Sequence, residues 1–158
     1  MLRKRIIPIL QLKEDELVKS TNFKNHKYVG DPINAVRIFN EIQVDEIILL
    51  DIFKSKKKEN LNYDMIKDIA DECRMPFTYG GGINNLAQVE KLFSIGVEKI
   101  SINSSVLEDS NLIKILSDNF GSQSIIVSLD IKEDIFGKKK LYNSSNNKYL
   151  NLNILDQI

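Results

Sequence analysis

The sequence predicts an α/β fold built on a parallel sheet, and two observations carry that prediction. Short apolar runs rich in isoleucine and valine recur along the chain: "IIPIL" (6–10), "EIILLD" (46–51), "PFTY" (76–79), "KISIN" (99–103) and "IIVSLD" (125–130). They are nearly continuous rather than alternating, as strands covered by helices on both faces are. Between them lie segments whose apolar residues fall at helical spacing, so strand and helix alternate and the strands are expected to run parallel.

The elements follow in order. After the first run, the polar stretch that holds the lone histidine, His26, reads as a long loop. In "DPINAVRIFNEIQ", Asp31 is placed to cap a helix and Pro32 to open it, with Ala35, Ile38, Phe39 and Ile42 on one face. The stripe Met65, Ile66, Ile69, Ala70 and Cys73 marks the next helix. Leu86, Val89, Leu92 and Phe93 mark a third, closed by Gly96, and Leu112, Ile113 and Leu116 a fourth, closed by Gly121. Beyond Asp130 the pattern turns polar and reads as a β-hairpin around Gly137, and "ILDQI" at 154–158 as the start of a helix. Two architectures fit this order, an open doubly wound sheet and a (βα) barrel. In both, function gathers at the carboxyl ends of the strands.

Composition narrows the classes. The 158 residues carry 22 Lys and Arg against 22 Asp and Glu, so nothing in the charge balance argues for nucleic acid or a membrane surface. The single cysteine, Cys73, permits no internal disulfide. No run reaches membrane-spanning length, and a cytoplasmic location is expected. Neither metal-ligand spacing nor a nucleophile elbow is present.

Chemistry-bearing residues collect where strands end. Gly80, Gly81 and Gly82 follow the third apolar run and precede a helix. Three adjacent glycines bring bare backbone N–H groups to one point, which favours phosphate binding over a plain turn. Asn103, Ser104 and Ser105 add short polar groups after the fourth run, where helix capping is the competing reading. Asp51 and Asp130 end the second and fifth runs, with capping and chemistry evenly matched, while Gln11 ends the first with an amide that transfers no proton at working pH. Arg5, Glu46 and Lys99 stand at strand starts and would meet at the opposite mouth, where spacing alone favours a surface salt-bridge cluster. Cys73 reads as core and His26 as a surface residue. "KSKKKEN" (54–60) reads as a solvated loop.

Taken together, "RKRIIPIL", "GDP", "DEIILLDI", "PFTYGGGI", "VEKISIN" and "FGSQSIIVSLD" resemble the cyclase subunit of imidazole glycerol phosphate synthase, without a gap over roughly residues 1–133. The resemblance implies a (βα)8 barrel of about 250 residues. This chain would hold its first half: four βα units, the fifth strand and a hairpin, as one incomplete domain over 1–158, with the first and fifth strands as open edges. It also implies a heterodimer with a glutaminase subunit, whose ammonia enters through a charged gate (here Arg5, Glu46 and Lys99) and attacks a phosphorylated small molecule. No cofactor is implied, and neither is a nucleic-acid or membrane partner. One phosphate would rest on Gly81, Gly82, Asn103 and Ser104, and the family's flexible-loop lysine maps onto Lys19. Catalysis in the family uses two aspartates; Asp130 keeps the second, and Gln11 replaces the first. That replacement, with "KYVGDPINAVRIFNE", resembles a paralogous branch that amidates bacterial surface sugars. Three readings stand: a sugar-amidation synthase subunit, a histidine-pathway cyclase, and a non-catalytic phosphate-binding half-barrel.

Overall fold

In the computed structural model, which describes residues 3–21, 24–54, 60–133, 137–143 and 146–150, only the last two residues of the first apolar run enter strand β1 (Ile9–Lys13), which continues past Gln11 instead of ending there and lies between two different kinds of pairing. On one side it runs parallel to β4 (Ile47–Asp51), followed by β5 (Phe77–Gly80), β6 (Lys99–Ile102) and β7 (Ile125–Val127). On the other it pairs antiparallel with β2 (Glu16–Thr21), and β2 with β3 (Lys24–Gly30), completing the sheet order β3-β2-β1-β4-β5-β6-β7. The parallel strands alternate with helices α1 (Pro32–Glu41), α2 (Tyr63–Glu72), α3 (Leu86–Ser94), α4 (Ser104–Glu108) and α5 (Asn111–Phe120). This is the architecture of part of a (βα) barrel.

The antiparallel arm corrects two expectations. The stretch expected as a long loop around His26 is the pair β2–β3. The first strand is consequently not an edge; β3 and β7 are the edges of this sheet. The cause is local. Glu14 and Asp15 both adopt positive φ, 52° and 67°, between Lys13 and its partner Glu16. Two such residues make the hairpin turn whose twist matches that of the flanking strands.

Each helix start has a physical reason. Asp31, Asn62 and Asn85 accept the backbone N–H of Asn34, Met65 and Gln88 at 2.9, 3.2 and 3.0 Å, capping α1, α2 and α3. The helices cover the outer face of the sheet. There the row Leu49, Tyr79 and Ile100, in register across β4, β5 and β6, packs with Ile66, Ile69, Val89, Leu92 and Leu116 in one core. Helix α1 departs from expectation: Val36 faces the core, whereas Ile38 and Ile42 are 59% and 62% exposed. At about 100° per residue, position 38 lies some 200° from position 36. Asn40 ties α1 to α2, donating to the Glu72 carbonyl and accepting from Arg74 N–H. The hairpin around Gly137 is present as β8 (Asp130–Glu133) against β9 (Lys139–Asn143), extended by β10 (Lys148–Leu150) into a second antiparallel sheet. The helix expected at 154–158 and most of "KSKKKEN" lie outside the described residues. Among the described residues, no helix is long and apolar enough to cross a membrane.

Candidate functional site

The inner face of the sheet carries a different row. Gln11, Leu50, Gly80 and Ser101 stand in register across β1, β4, β5 and β6. Above this row, at the carboxyl ends of the parallel strands, opens a cleft of about 620 Å³. Of the residues picked from the sequence, it brings together Gln11, Asp51, Gly81, Gly82, Asn103, Ser104, Ser105 and Asp130. Lys19 is not among its lining residues; it lies exposed on β2, paired with Lys27 of β3 rather than on a loop. Asp130 opens β8, three residues beyond β7, instead of ending the fifth parallel strand.

The three glycines serve three purposes. A Cβ on Gly80 would lie 2.7 Å from Leu50 Cδ2 and 2.8 Å from the Ser101 carbonyl oxygen, so this glycine lets three strands close up. Gly81 (φ +109°) and Gly82 (φ +72°) take left-handed backbone, and a Cβ on Gly81 would stand 2.1 Å from the Asp51 carbonyl oxygen. Chain geometry therefore requires these glycines before any ligand does, and the bare backbone they leave lines the cleft.

Asp51 is a buried carboxylate with divided duties. Its Oδ1 accepts the backbone N–H groups of Phe53 and Lys54, both at 3.1 Å, which is the turn-capping role. Its Oδ2 is buried with no hydrogen-bond partner among the described residues. Burial pushes the carboxyl above the usual carboxylate range, against the two backbone N–H bonds, which pull it down. Asn103 precedes α4 without a side-chain cap bond, and its buried Oδ1 likewise has no partner among the described residues.

Several cleft residues escaped the sequence reading. His26, expected on the surface, lines the cleft from β3 and packs edge-on against Phe53, ring centroids 5.4 Å apart. Lys13 Nζ lies 4.9 Å from the same phenyl ring. Ser101 and Ser128 pair their hydroxyls at 2.7 Å on the cleft wall. A hydroxyl inside an apolar strand was the available signal for both. Ser20 lines the cleft as well, its Oγ donating to Gln11 Oε1 at 2.9 Å.

At the amino ends of the strands, Arg5, Glu46 and Lys99 do meet. Glu46 is 3% exposed. Its Oε1 accepts from Lys99 Nζ at 2.5 Å and Thr78 Oγ1 at 3.3 Å, while Oε2 faces Arg5 Nη1 at 3.5 Å. A surface cluster would leave the carboxylate in water; here only the Arg5 end is well exposed. Among the described residues, no group of three or more His, Cys, Asp or Glu side chains is placed to hold a metal ion.

The model of the family described as histidine biosynthesis protein matches residues 5–156. A Pseudomonas aeruginosa protein provisionally named imidazole glycerol phosphate synthase subunit hisF2 is 51% identical over 145 residues, covering 92% of this chain and 58% of its own length. A Vibrio vulnificus protein with a similar provisional name, subunit hisF3, is 50% identical over 139 residues, covering 88% of this chain and 54% of its own. The imidazole glycerol phosphate synthase subunit HisF of Phocaeicola vulgatus is 40% identical over 153 residues, covering 95% and 61%. The chain thus spans little more than half the length of the curated relatives it matches. On a family match running almost from end to end, the chain belongs to the histidine biosynthesis protein family.

Proposed function

We propose that the chain works within a cyclase-type synthase subunit of a glutamine-dependent amidotransferase, on the branch that amidates surface sugars. In this reading a glutaminase partner releases ammonia at the amino-terminal mouth, where Glu46 holds Lys99 and Arg5 as a gate. The ammonia reaches a phosphorylated or sugar substrate in the cleft. Gly81, Gly82, Asn103 and Ser104 cradle one phosphate, and Asp130 supplies the one carboxylate kept from the family's acid–base pair.

The observation that carries this reading is Gln11. It lines the same cleft as Asp130, from the strand whose family counterpart bears the other aspartate, and its amide is bonded to Ser20. Ring closure needs protons both delivered and removed, and positioned acid–base groups contribute typically ~10²–10⁴-fold. Replacing one oxygen by nitrogen on an activated group, with no ring to close, makes a smaller demand on proton transfer.

The test is to supply the full synthase and its glutaminase partner with glutamine and two substrates in parallel, the histidine-pathway nucleotide and an acetamido sugar whose acyl oxygen has been activated as a leaving group. Mass spectrometry then reads nitrogen incorporation in each. Amidation of the sugar alone is the expected result. Cyclisation of the nucleotide at an ordinary enzymatic rate would overturn the assignment in favour of the histidine-pathway reading. Inactivity on both would favour a binding scaffold.

A further inference from the structure

We propose that Ser20 fixes the Gln11 carboxamide so that position 11 serves the cleft as a hydrogen-bond donor, received by a carbonyl-type oxygen of the bound ligand. Ser20 thereby becomes a positioning residue. The inference deepens the proposed function and rests on it to this extent: the cleft is where the group receiving ammonia sits.

The argument begins with the hairpin. Gln11 stands opposite Val18 across β1 and β2, so Ser20, two residues on, projects from the same face of the sheet on the diagonal. That diagonal is within side-chain reach, and Ser20 Oγ donates to Gln11 Oε1 at 2.9 Å. A carboxamide has an acceptor oxygen with two lone pairs and an NH2 group carrying two donors. Ser20 takes one lone pair and fixes which end of the group is which, so the NH2 is the end left uncommitted for a ligand. A free carboxamide turns over to suit a donor or an acceptor; this one is committed.

The rest of the cleft sharpens the ligand class. Asp130, which also lines it, presents a carboxylate, an acceptor when ionised. The cleft therefore offers a fixed neutral donor from β1 and an acceptor from β8. An acyl or amide group, with its carbonyl oxygen toward Gln11 and an N–H or O–H toward Asp130, satisfies both. A cationic group at position 11 would face an NH2 that cannot accept from it and leave those N–H donors unpaired on binding, a cost of the kind that makes hydrogen-bonding sites selective.

The experiment uses the full chain labelled with nitrogen-15, with the Gln11 side-chain NH2 signals identified by their loss in Gln11→Leu. Acetamide serves as the neutral carbonyl probe and ammonium chloride as the cationic control. The expected result is that acetamide moves the Gln11 NH2 pair and ammonium does not. Ser20→Ala should weaken the acetamide response several-fold, and Ser20→Thr, which keeps the hydroxyl, should restore it. A second measurement is independent of any ligand. The carboxyl introduced by Gln11→Glu should titrate about one unit higher when Ser20→Ala is added, because a hydroxyl donor favours the charged form. A response to ammonium, an acetamide response indifferent to Ser20→Ala, or an unchanged titration in the double variant would overturn the proposal. The two readings fail separately: absence of sugar amidation with these signals intact removes the proposed function and leaves the donor role standing. Ammonia transfer with an NH2 pair indifferent to acetamide does the reverse.

Discussion

Lys99 Nζ lies 2.5 Å from Glu46 Oε1, and the carboxylate it holds is almost entirely shut off from solvent at the amino ends of the strands. Removing one partner of a buried pair leaves an uncompensated charge, at a cost of about 3–5 kcal/mol. Lys99 is itself part-exposed, so Lys99→Met should fall at the low end, about 3 kcal/mol. Adding Glu46→Gln should recover part of that loss. Urea denaturation of the two variants checks both figures. In the assembled synthase, a gating role for the pair requires Lys99→Met to slow glutamine-driven turnover more than turnover with free ammonium.

Asp51 gives a pH dependence of definite sign. Its carboxyl is raised in the folded chain above the ordinary value of 3.8, mainly by burial, so folding favours the protonated form. That contribution is fully present below the unfolded value and is lost as pH rises through the raised folded value. Asp51→Asn keeps an oxygen for the Phe53 and Lys54 N–H groups and carries no charge. The variant should therefore gain on the parent as pH rises from 3 to 7, measured by thermal unfolding at several pH values. A variant that loses ground to the parent over that interval would contradict the assignment.

Substituting the glycines would not isolate a ligand's contribution. Gly82→Val places a branched side chain at φ +72° with Lys54 Cβ 2.8 Å from the new Cβ. It should report on folding instead, as should Gly81→Ala, where left-handed backbone alone costs roughly 1–2 kcal/mol. Ser104→Ala leaves the backbone untouched. It should weaken inorganic phosphate binding, read by calorimetry, without lowering the unfolding midpoint.

On the proposed function, Gln11→Asp supplies the second carboxylate of the acid–base pair. In the complete synthase it should raise cyclase turnover of the histidine-pathway nucleotide by a factor approaching ~10² or more. If the unaltered protein already turned that nucleotide over at ~10 per second, the argument from the missing acid would fail.

Cys73 ends α2 with its thiol pushed up to about 12, chiefly by burial and further by the charges of Glu72 and Glu98. The thiolate is the reactive form, so at pH 8 its fraction should be about 10⁻⁴. Alkylation by iodoacetamide should be slow in the native chain and rapid in urea. Rapid labelling of the native chain would place the thiol outside the packing described for α2.

The parallel strands were legible because their apolar runs are almost uninterrupted, with β5 and β6 buried on both faces, and the helices because Ile66, Ile69, Val89, Leu92 and Leu116 repeat at helical spacing. Strands β2 and β3 were not, for two reasons. The turn that leads into them from β1 is Glu14–Asp15 rather than the Asn-Gly or Asp-Gly pair that usually announces positive φ. "KNHKYVG" is also too polar to advertise a strand. With them went the placement of His26 and Ser20 in the cleft and of Lys19 outside it. The strand-end logic still located Gln11, Asp51, Gly81, Gly82, Asn103 and Asp130, because a parallel sheet delivers all its carboxyl ends to one rim. What single residues do there escaped it: Asp51 caps a turn, and Gly80 exists for Leu50 and Ser101.

The hairpin turn at Glu14–Asp15 also bears on the order of assembly. Strands β1, β2 and β3 are neighbours in sequence as well as in the sheet, so their pairing closes only short loops. Hairpins form in about 1–10 μs. Every parallel pair instead waits for a helix to be threaded between its strands, and loop-closure entropy must be met before those contacts form. The three-strand meander is therefore the piece able to form first. It offers β1 to β4 already straightened and hydrogen-bonded along its far side, a template on which the slower parallel pairing can add strands one by one toward β7.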